Sequence, residues 1–556
     1  MDRSASWLRF ALSALILCLA DCGGGGGGSP PIVVPPLPPP PPPPPPPGLN
    51  PQYRASAQSP FTANCDGAPV SGTLFVNAEV EPYIALNPAD ASTLVGVWQQ
   101  DRWSSGSARG VMAATSLDGG QTWTRRPIPF SRCSGGNAGN GGDYARVSNP
   151  WVTYSANGTV HAVGLANSGS VFQAGSSNAI LASRSLDNGR TWSNPIALIR
   201  DGAGFFNDKD AITADPGNAN LVYAVWDRLV AGDNGGPTYF ARSTNNGVSW
   251  EPAKSIYDPG PNSQTISNVL VVLPDGTLVT MFVQIDFLPT QHAKLAVVRS
   301  LDKGVTWSAP TRIADLLSVG TRDPFTGAAV RDASIIPQIA VAPNGALHVV
   351  WQDGRFNGGA YDAIAIAHSI DGGVTWTAPT RVSAAAGVAA FDPVVHVRSD
   401  GVIGVTYYDF RSDTTAAPLM TDYWLARSSD GGLTWSENRV SEAFDLTTAP
   451  LTNAPGTGGY FLGDYQSLIS RNGVFVPFYA KANSGDLANR TDIFAAPAIA
   501  SVNAARAKTA WARMAEVSSR RAPRRFHANA RIERLVSGNL RRSLSYRATT
   551  PDSFDH

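Results

Sequence analysis

The chain has 556 residues, with 43 Lys and Arg against 43 Asp and Glu, so its formal net charge is zero and the chain as a whole lacks the basic excess of a nucleic-acid-binding protein. Its four cysteines include no CxxC pair and no neighbouring Cys/His pair, which argues against a metal site or a catalytic thiol. A length that would fit several ordinary domains is absorbed in one body if the chain is repetitive.

At the start, Arg3 and Arg9 flank the beginning of an apolar run, 10–19, that is too short to span a membrane and reads as an export signal within residues 1–22. Cys22 precedes six glycines and resembles the lipid-modification site of a bacterial lipoprotein; cleavage nearby and secretion is the alternative. Residues 23–50 form a Gly/Pro-rich linker, whose ten prolines at 38–47 favour a polyproline II rod of roughly 31 Å at about 3.1 Å per residue. The expected location is an outer-membrane or periplasmic surface, with membrane contact through the N-terminal lipid only. Cys65 and Cys133 are the cysteines left for the exported body, and one disulfide between them is expected.

From residue 51 to 500 the chain repeats. Six octapeptides are near-copies of the pattern serine, any, aspartate, any, glycine, any, threonine, tryptophan: SLDGGQTW from Ser116, SLDNGRTW from Ser185, STNNGVSW from Ser243, with Asn245 and Ser249 in place of the aspartate and threonine, SLDKGVTW from Ser300, SIDGGVTW from Ser369 and SSDGGLTW from Ser428. Each reads as a strand-turn-strand corner in which the carboxylate bonds turn N–H groups, the glycine takes positive φ and the Trp begins the outgoing strand. The central residues lie 69, 58, 57, 69 and 59 positions apart, which suits one four-stranded unit each. Between the corners a second repeat, an apolar strand, a polar turn and a stronger strand with a polar end, recurs seven times from Pro82 to Lys481. The fold expected is all-β, a propeller of seven four-stranded blades with six as the alternative, closed by Thr73 to Asn77 pairing with the last blade.

The octapeptide is the Asp box, and its repetition resembles the sialidase-like, or BNR-repeat, β-propellers. That resemblance implies an exported sialidase-like glycoside hydrolase in which arginines clamp an acidic sugar, an Asp serves as acid and base, and a Tyr activated by a Glu attacks the anomeric carbon. In a meander the face opposite the corners collects the ends of second strands, here Asp101 and Arg102, Asp227 and Arg228, Asp353 and Arg355, and Tyr408, Asp409 and Arg411. Starts of inner strands add Glu81, Asn149, Asp208, Lys209, Asp210, Gln338, Asp392, Asp464 and Tyr465. Arginine forks a carboxylate while Asp and Gln bind hydroxyls, so Arg102, Arg228, Arg355 and Arg411 are the clamp candidates; salt bridges of structural purpose fit the same pairs equally. Blade closure would make Glu81 and Tyr465 neighbours, the candidate base and nucleophile, with Asp101 as general acid.

His161, His348, His368 and His396 fall in strand patterns and read as packed core groups, whereas His292 reads as loop-borne. No cofactor or catalytic metal is expected; Asn207 to Asp210 could hold a structural calcium but lack the regular spacing of a known loop. The partner expected is an acidic glycan, and the chain is expected to be a monomer. A non-catalytic glycan-binding propeller and a polysaccharide lyase acting on uronate polymers are the competing functions. From 501 to 556, twelve Lys and Arg stand against four Asp and Glu, so this basic segment, helical or disordered, is balanced by an acidic body. No nucleic-acid motif accompanies it.

Overall fold

The computed structural model describes residues 49–67, 71–232, 234–415, 418–453 and 458–499. The export signal, Cys22, the linker up to 48 and the basic segment from 501 lie outside the described residues. Among the described residues no helix is long and apolar enough to cross a membrane.

The chain is a succession of antiparallel meanders. After β1 (Tyr53–Arg54) come β2 (Leu74–Leu86), β3 (Leu94–Trp103), β4 (Ala108–Ser116) and β5 (Thr124–Ile128), then β6 (Arg146–Tyr154), β7 (Val160–Ser168), β8 (Ser177–Ser185) and β9 (Ile196–Asp201). The next two are β10 (Phe205–Ala214), β11 (Val222–Val230), β12 (Thr238–Ser243) and β13 (Lys254–Tyr257), and β14 (Ser263–Val272), β15 (Leu278–Asp286), β16 (His292–Ser300) and β17 (Thr311–Asp315). Beyond β18 (Val330–Arg331) lie β19 (Gln338–Val341), β20 (Leu347–Asp353), β21 (Ala363–Ser369) and β22 (Thr380–Arg381), then β23 (Ala390–Val397), β24 (Ile403–Asp409), β25 (Met420–Ser428) and β26 (Ser436–Arg439). The chain ends with β27 (Phe444–Asp445), β28 (Leu451–Thr452), β29 (Gly459–Phe461), β30 (Ser467–Arg471), β31 (Val474–Ala482), β32 (Thr491–Ala495) and β33 (Ala498–Ile499).

Such meanders form because the second strands are apolar and β-branched on both faces, as in VYAVW of β11 and LHVVW of β20, and each sheet packs against a neighbour on both sides. Trp98, Trp226 and Trp351 occupy matching, fully buried places on β3, β11 and β20. Each indole N–H finds a polar partner nearby: Gln100 at 3.0 Å, Asn207 at 2.8 Å and Asp353 at 2.7 Å. Large rings meet glycines across the sheets, so a Cβ on Gly96 would lie 2.4 Å from the Phe478 ring.

The expected blade count does not survive as seven, or six, separate sheets. Hydrogen bonding gathers the propeller strands into five sheets, and β18, β29 and β28 form a small further one. The reason is local: single bridges Ala108↔Val147 and Ala78↔Thr491 fuse adjacent meanders into one 13-stranded sheet. The closing strand is also not the expected one. Thr73 precedes and Leu74 begins β2, which pairs with Trp103 of β3 and meets β32 only at the bridge Ala78↔Thr491; the antiparallel pairing with β32 is made by β1 through Tyr53↔Ala495 and Arg54↔Phe494. Cys65 and Cys133 are disulfide-bonded, with Cα atoms 4.9 Å apart, as expected.

At the corners, Asp118 Oδ1 accepts from the N–H groups of Gln121 and Thr122, each at 2.9 Å, and Oδ2 accepts the Thr122 hydroxyl at 2.6 Å. Asn245 does the same work in the third corner, accepting from the Ser249 N–H at 2.9 Å and donating to the Ser249 hydroxyl at 2.8 Å. Gly120 takes φ +96°, as the turn requires. The Trp does not begin the fourth strand; it precedes it, as Trp123 precedes Thr124.

The strand histidines are packed. His161 bonds Ser155 and Asn246, and the His348 and His368 rings meet Nδ1 to Nδ1 at 2.7 Å. His292 begins β16 and pairs with Asp286 instead of lying in a loop. Burial lowers the pKa of His161 and of His368 to about 4. A histidine with a depressed folded pKa supplies stability that is present above its unfolded pKa, about 6.5, and lost as pH falls toward 4. Lowering the pH from 7.5 to 5 is therefore expected to cost roughly 2 kcal/mol per histidine in chemical denaturation. An unchanged midpoint over that range contradicts this.

Candidate functional site

The inner strands share one irregularity. In β2, β6, β10, β14 and β23 the register slips at a bulge, and a residue there takes left-handed φ: Glu81 at +53°, Asn149 at +52°, Lys209 at +49°, Ser267 at +63° and Asp392 at +55°. Non-glycine residues hold such angles at a cost of roughly 1–3 kcal/mol each, and bulges re-aim side chains. Several of the residues beside these bulges meet one another.

Glu81 accepts from the Gln99 amide and, at 3.2 Å, from the Asn149 N–H; Asn149 in turn donates to Asp208 at 3.3 Å. Lys209 forms an ion pair with Asp464, and Arg331 forks the same carboxylate at 2.9 and 2.6 Å. Arg102 donates to Gln99 at 2.7 Å, and the guanidinium carbons of Arg102 and Arg331 both lie over the Phe461 ring, 4.7 and 5.0 Å from its centre. Gln466 donates to Asp392 at 2.8 Å. All these groups are buried or nearly so.

Their electrostatics diverge. Burial raises the Asp464 carboxyl, but Arg331 and Lys209 outweigh it and hold that carboxyl well below the ordinary range. Lys209 goes the other way: burial opposes its charge, and Asp464, Asp208 and Glu81 restore it, so its pKa rises. Burial pushes Glu81, Asp210 and Asp392 upward. No side chain bonds either oxygen of Asp210 among the described residues. One cluster thus holds a carboxyl pushed down by two cations beside carboxyls pushed up by burial.

Asp210→Asn removes a buried acid without changing its shape. Because the folded pKa is raised, ionisation costs stability as pH climbs above the unfolded value of about 3.9, and the amide escapes that cost. The variant is expected to be more stable than the parent by about 1–3 kcal/mol at pH 8, with the gain shrinking toward pH 4. A loss of stability at pH 8 in a denaturation series contradicts the assignment.

The sequence-derived candidates divide. Arg102, Glu81 and Tyr465 stand in this region, but Tyr465 donates its hydroxyl to the Pro150 carbonyl at 2.9 Å, and burial, with Glu81, Asp210 and Asp464 nearby, raises its pKa well above 10. No hydrogen bond joins it to Glu81; the Tyr–Glu bond among the described residues is Tyr407 to Glu437, beside a corner. Asp101 is engaged by the Ser59 hydroxyl at 2.6 Å and the Asn77 N–H at 3.0 Å, tying the N-terminal segment to the first meander. Arg228 forks Asp201 at 2.9 and 2.6 Å and stacks on Phe205. Arg355 pairs with Asp353 at 2.7 Å and bonds the Asp315 carbonyl. Arg411 bridges Asp409 at 2.6 Å and Glu437 at 2.9 Å over the Trp424 ring. Asp227 is buried in register with Asp208 and Thr238, and the Tyr408 hydroxyl bonds the Ala480 carbonyl at 2.6 Å. The three arginines are thus consumed within or beside their own meanders. At the suggested calcium position, Asn207 Oδ1 accepts the Trp226 indole N–H at 2.8 Å, and the Lys209 ammonium pairs with Asp464 beside it.

Sequence reading did not find Arg331 or Phe461. Both come from 316–337 and 440–466, the longest stretches between repeats, which pair in parallel through Val330↔Tyr460 and Arg331↔Phe461. Their departure from the repeat was the available signal.

No family model matches this chain, and no curated protein matches it. Among solved structures it is similar to a Dyadobacter fermentans protein of unknown function, 12% identical with a TM-score of 0.43 over 81% of this chain and 98% of that one. It is also similar to an α-L-arabinanase of Penicillium chrysogenum complexed with arabinobiose, 13% identical with a TM-score of 0.41 over 81% and 99%. The NanB sialidase from Streptococcus pneumoniae is 9% identical with a TM-score of 0.42 over 81% and 99%.

Proposed function

We propose that the chain is an exported glycoside hydrolase acting on acidic, sialic-acid-type glycans at the Glu81–Asp210–Asp464 cluster. The observation that carries this reading is the meeting of these carboxyls in one cluster with opposed shifts: Asp464, forked by Arg331 and paired with Lys209, is held down, while burial pushes Glu81 and Asp210 up. A protonated carboxyl can give its proton to a glycosidic oxygen, and an ionised one can stabilise the oxocarbenium that forms. Arg102, bonded to Gln99, and Lys209 and Arg331, both paired with Asp464, are engaged as Arg228, Arg355 and Arg411 are, but they stand at the cluster itself, where their charge would attract an acidic sugar. Signal removal and lipidation at Cys22 belong to the same reading and rest on the sequence of the N-terminal segment.

A second reading, a glycan-binding propeller without catalysis, is favoured by burial: Glu81, Asp210, Asp392 and Asp464 are 2% exposed or less. The test is a fluorogenic panel on the full chain, with the 4-methylumbelliferyl α-sialoside, β-glucuronide and α-L-arabinofuranoside. Release from the sialoside that is lost in Glu81→Gln is the expected result. Cleavage of the arabinofuranoside alone overturns the acidic-sugar class, and retention of acidic glycans without any release supports the binding reading.

A further inference from the structure

The turn-bearing face, opposite the candidate site, carries apolar side chains that nothing among the described residues covers. Leu301 and Val305 in one corner and Ile370 and Val374 in the next are exposed, Leu301 by 77%, and Val248 and Leu433 continue the row in the corners on either side. Leu117 and Leu186 in the first two corners are exposed as well; singly such residues are ordinary, but every corner bears one, and Val248 to Leu433 form the crescent in which two successive corners carry them in pairs.

The chain leaves from this same face. A Cβ on Gly120, in the first corner, would lie 3.5 Å from that of Ala495 at the end of β32, and Ile499 pairs with Val474 at the start of β31, beside the turn from Arg471. The segment 500–556 has aliphatic and aromatic residues at Trp511, Met514 and Val517 and again at Ile532, Leu535 and Leu540, set among twelve Lys and Arg. Trp511 is twelve residues past Ile499, a reach of up to roughly 40 Å.

Charge favours the same occupant. Asp302 accepts its Thr306 hydroxyl and turn N–H groups, which lower its pKa, and Asp371 and Asp430 are lowered by equivalent bonds despite partial burial. Of the basic groups nearby, Lys303 pairs with Asp215 at 2.9 Å and Arg242 with Glu251 at 2.9 Å, while Lys254 donates to the Val305 carbonyl at 3.0 Å. A face of aliphatic tips and ionised carboxylates suits a basic, apolar-studded peptide better than an anionic lipid surface. We infer that residues 500–556 of this chain dock on its turn-bearing face, covering the crescent from Val248 to Leu433. Tethering raises the local concentration of the segment to the millimolar range, so weak contacts suffice.

The test uses the full chain with benzoylphenylalanine substituted at Trp511, irradiated at low protein concentration and mapped by mass spectrometry. Adducts within the chain at the peptides holding 301–305 and 370–374 are expected. They should fall about tenfold when Leu301→Asp, Val305→Asp, Ile370→Asp and Val374→Asp are combined, while the melting temperature, set by buried groups, stays the same. Adducts elsewhere overturn the inference. So do adducts only between chains, with a yield that rises with concentration, and crescent-dependent binding to phosphatidylglycerol vesicles without adducts.

Discussion

Asp464→Ala is expected to destabilise the fold by about 3–5 kcal/mol, because it strands two buried cations without their counter-charge. Lys209 comes from β10 and Arg331 from β18, and Asp464 lies just beyond β29, so this one carboxylate fastens the inserted strands to the inner strands. Its own pairing supplies stability that is present above the unfolded pKa of about 3.9 and lost as pH falls through its depressed folded value. The double change Asp464→Ala with Lys209→Met should recover part of the loss, since it leaves only Arg331 to be hydrated. Urea midpoints for the two variants decide this; a single variant within about 1 kcal/mol of the parent would mean that the ion pairs are not buried as described.

The second large effect is expected at the disulfide. Cys65 lies between β1 and β2 and Cys133 between β5 and β6, with 68 residues of sequence separation. Loop entropy for that length gives about 4 kcal/mol of stabilisation. The site matters more than the number, because β1 closes the last sheet with only two paired residues. Ser56 adds a hydrogen bond to Asp492 at 2.8 Å, and Arg125 bonds the Ala55 carbonyl at 2.7 Å. Cys65→Ser with Cys133→Ser is expected to lower the unfolding midpoint by that amount and to open residues 49–67 to protease first. Equal protease resistance in parent and variant would show that the closure holds without the bond.

Much of the architecture was legible because it repeats. A corner whose Asp, Gly and Trp have fixed duties is recognised at each recurrence, and doubly buried second strands announce themselves as apolar runs. Closure was misread because Tyr53 and Arg54 have no strand signature, whereas Thr73 to Asn77 does and is taken up at the start of β2. Separate blades were misread because single bridges between meanders leave no mark on composition. In the candidate cluster, Glu81, Asp208, Lys209, Asp210 and Asp464 were legible as polar residues expected at the starts of inner strands, whereas the structure sets Glu81 and Asp208 to Asp210 at bulges within β2 and β10. For Arg228, Arg355 and Arg411 the sequence left a clamp and a salt bridge equally open, since an Asp followed closely by Arg at a strand end also describes a guanidinium folded back on its own sheet. Arg355 over Trp351 and Arg411 over Trp424 are of that kind. Arg331 lies where the repeat is silent.

Whether chemistry belongs to the inner cluster or to those strand-end pairs is decided by comparing two sets of variants for glycoside turnover, each checked by its melting curve. Asp210→Asn and Lys209→Met form one set, Arg355→Ala and Arg411→Ala the other. Turnover reduced at least ~100-fold in the first set and within a few-fold of the parent in the second is the expected result. The opposite pattern, with Asp210→Asn and Lys209→Met active and the arginine variants dead but folded, would contradict placing the site at Glu81, Asp210 and Asp464.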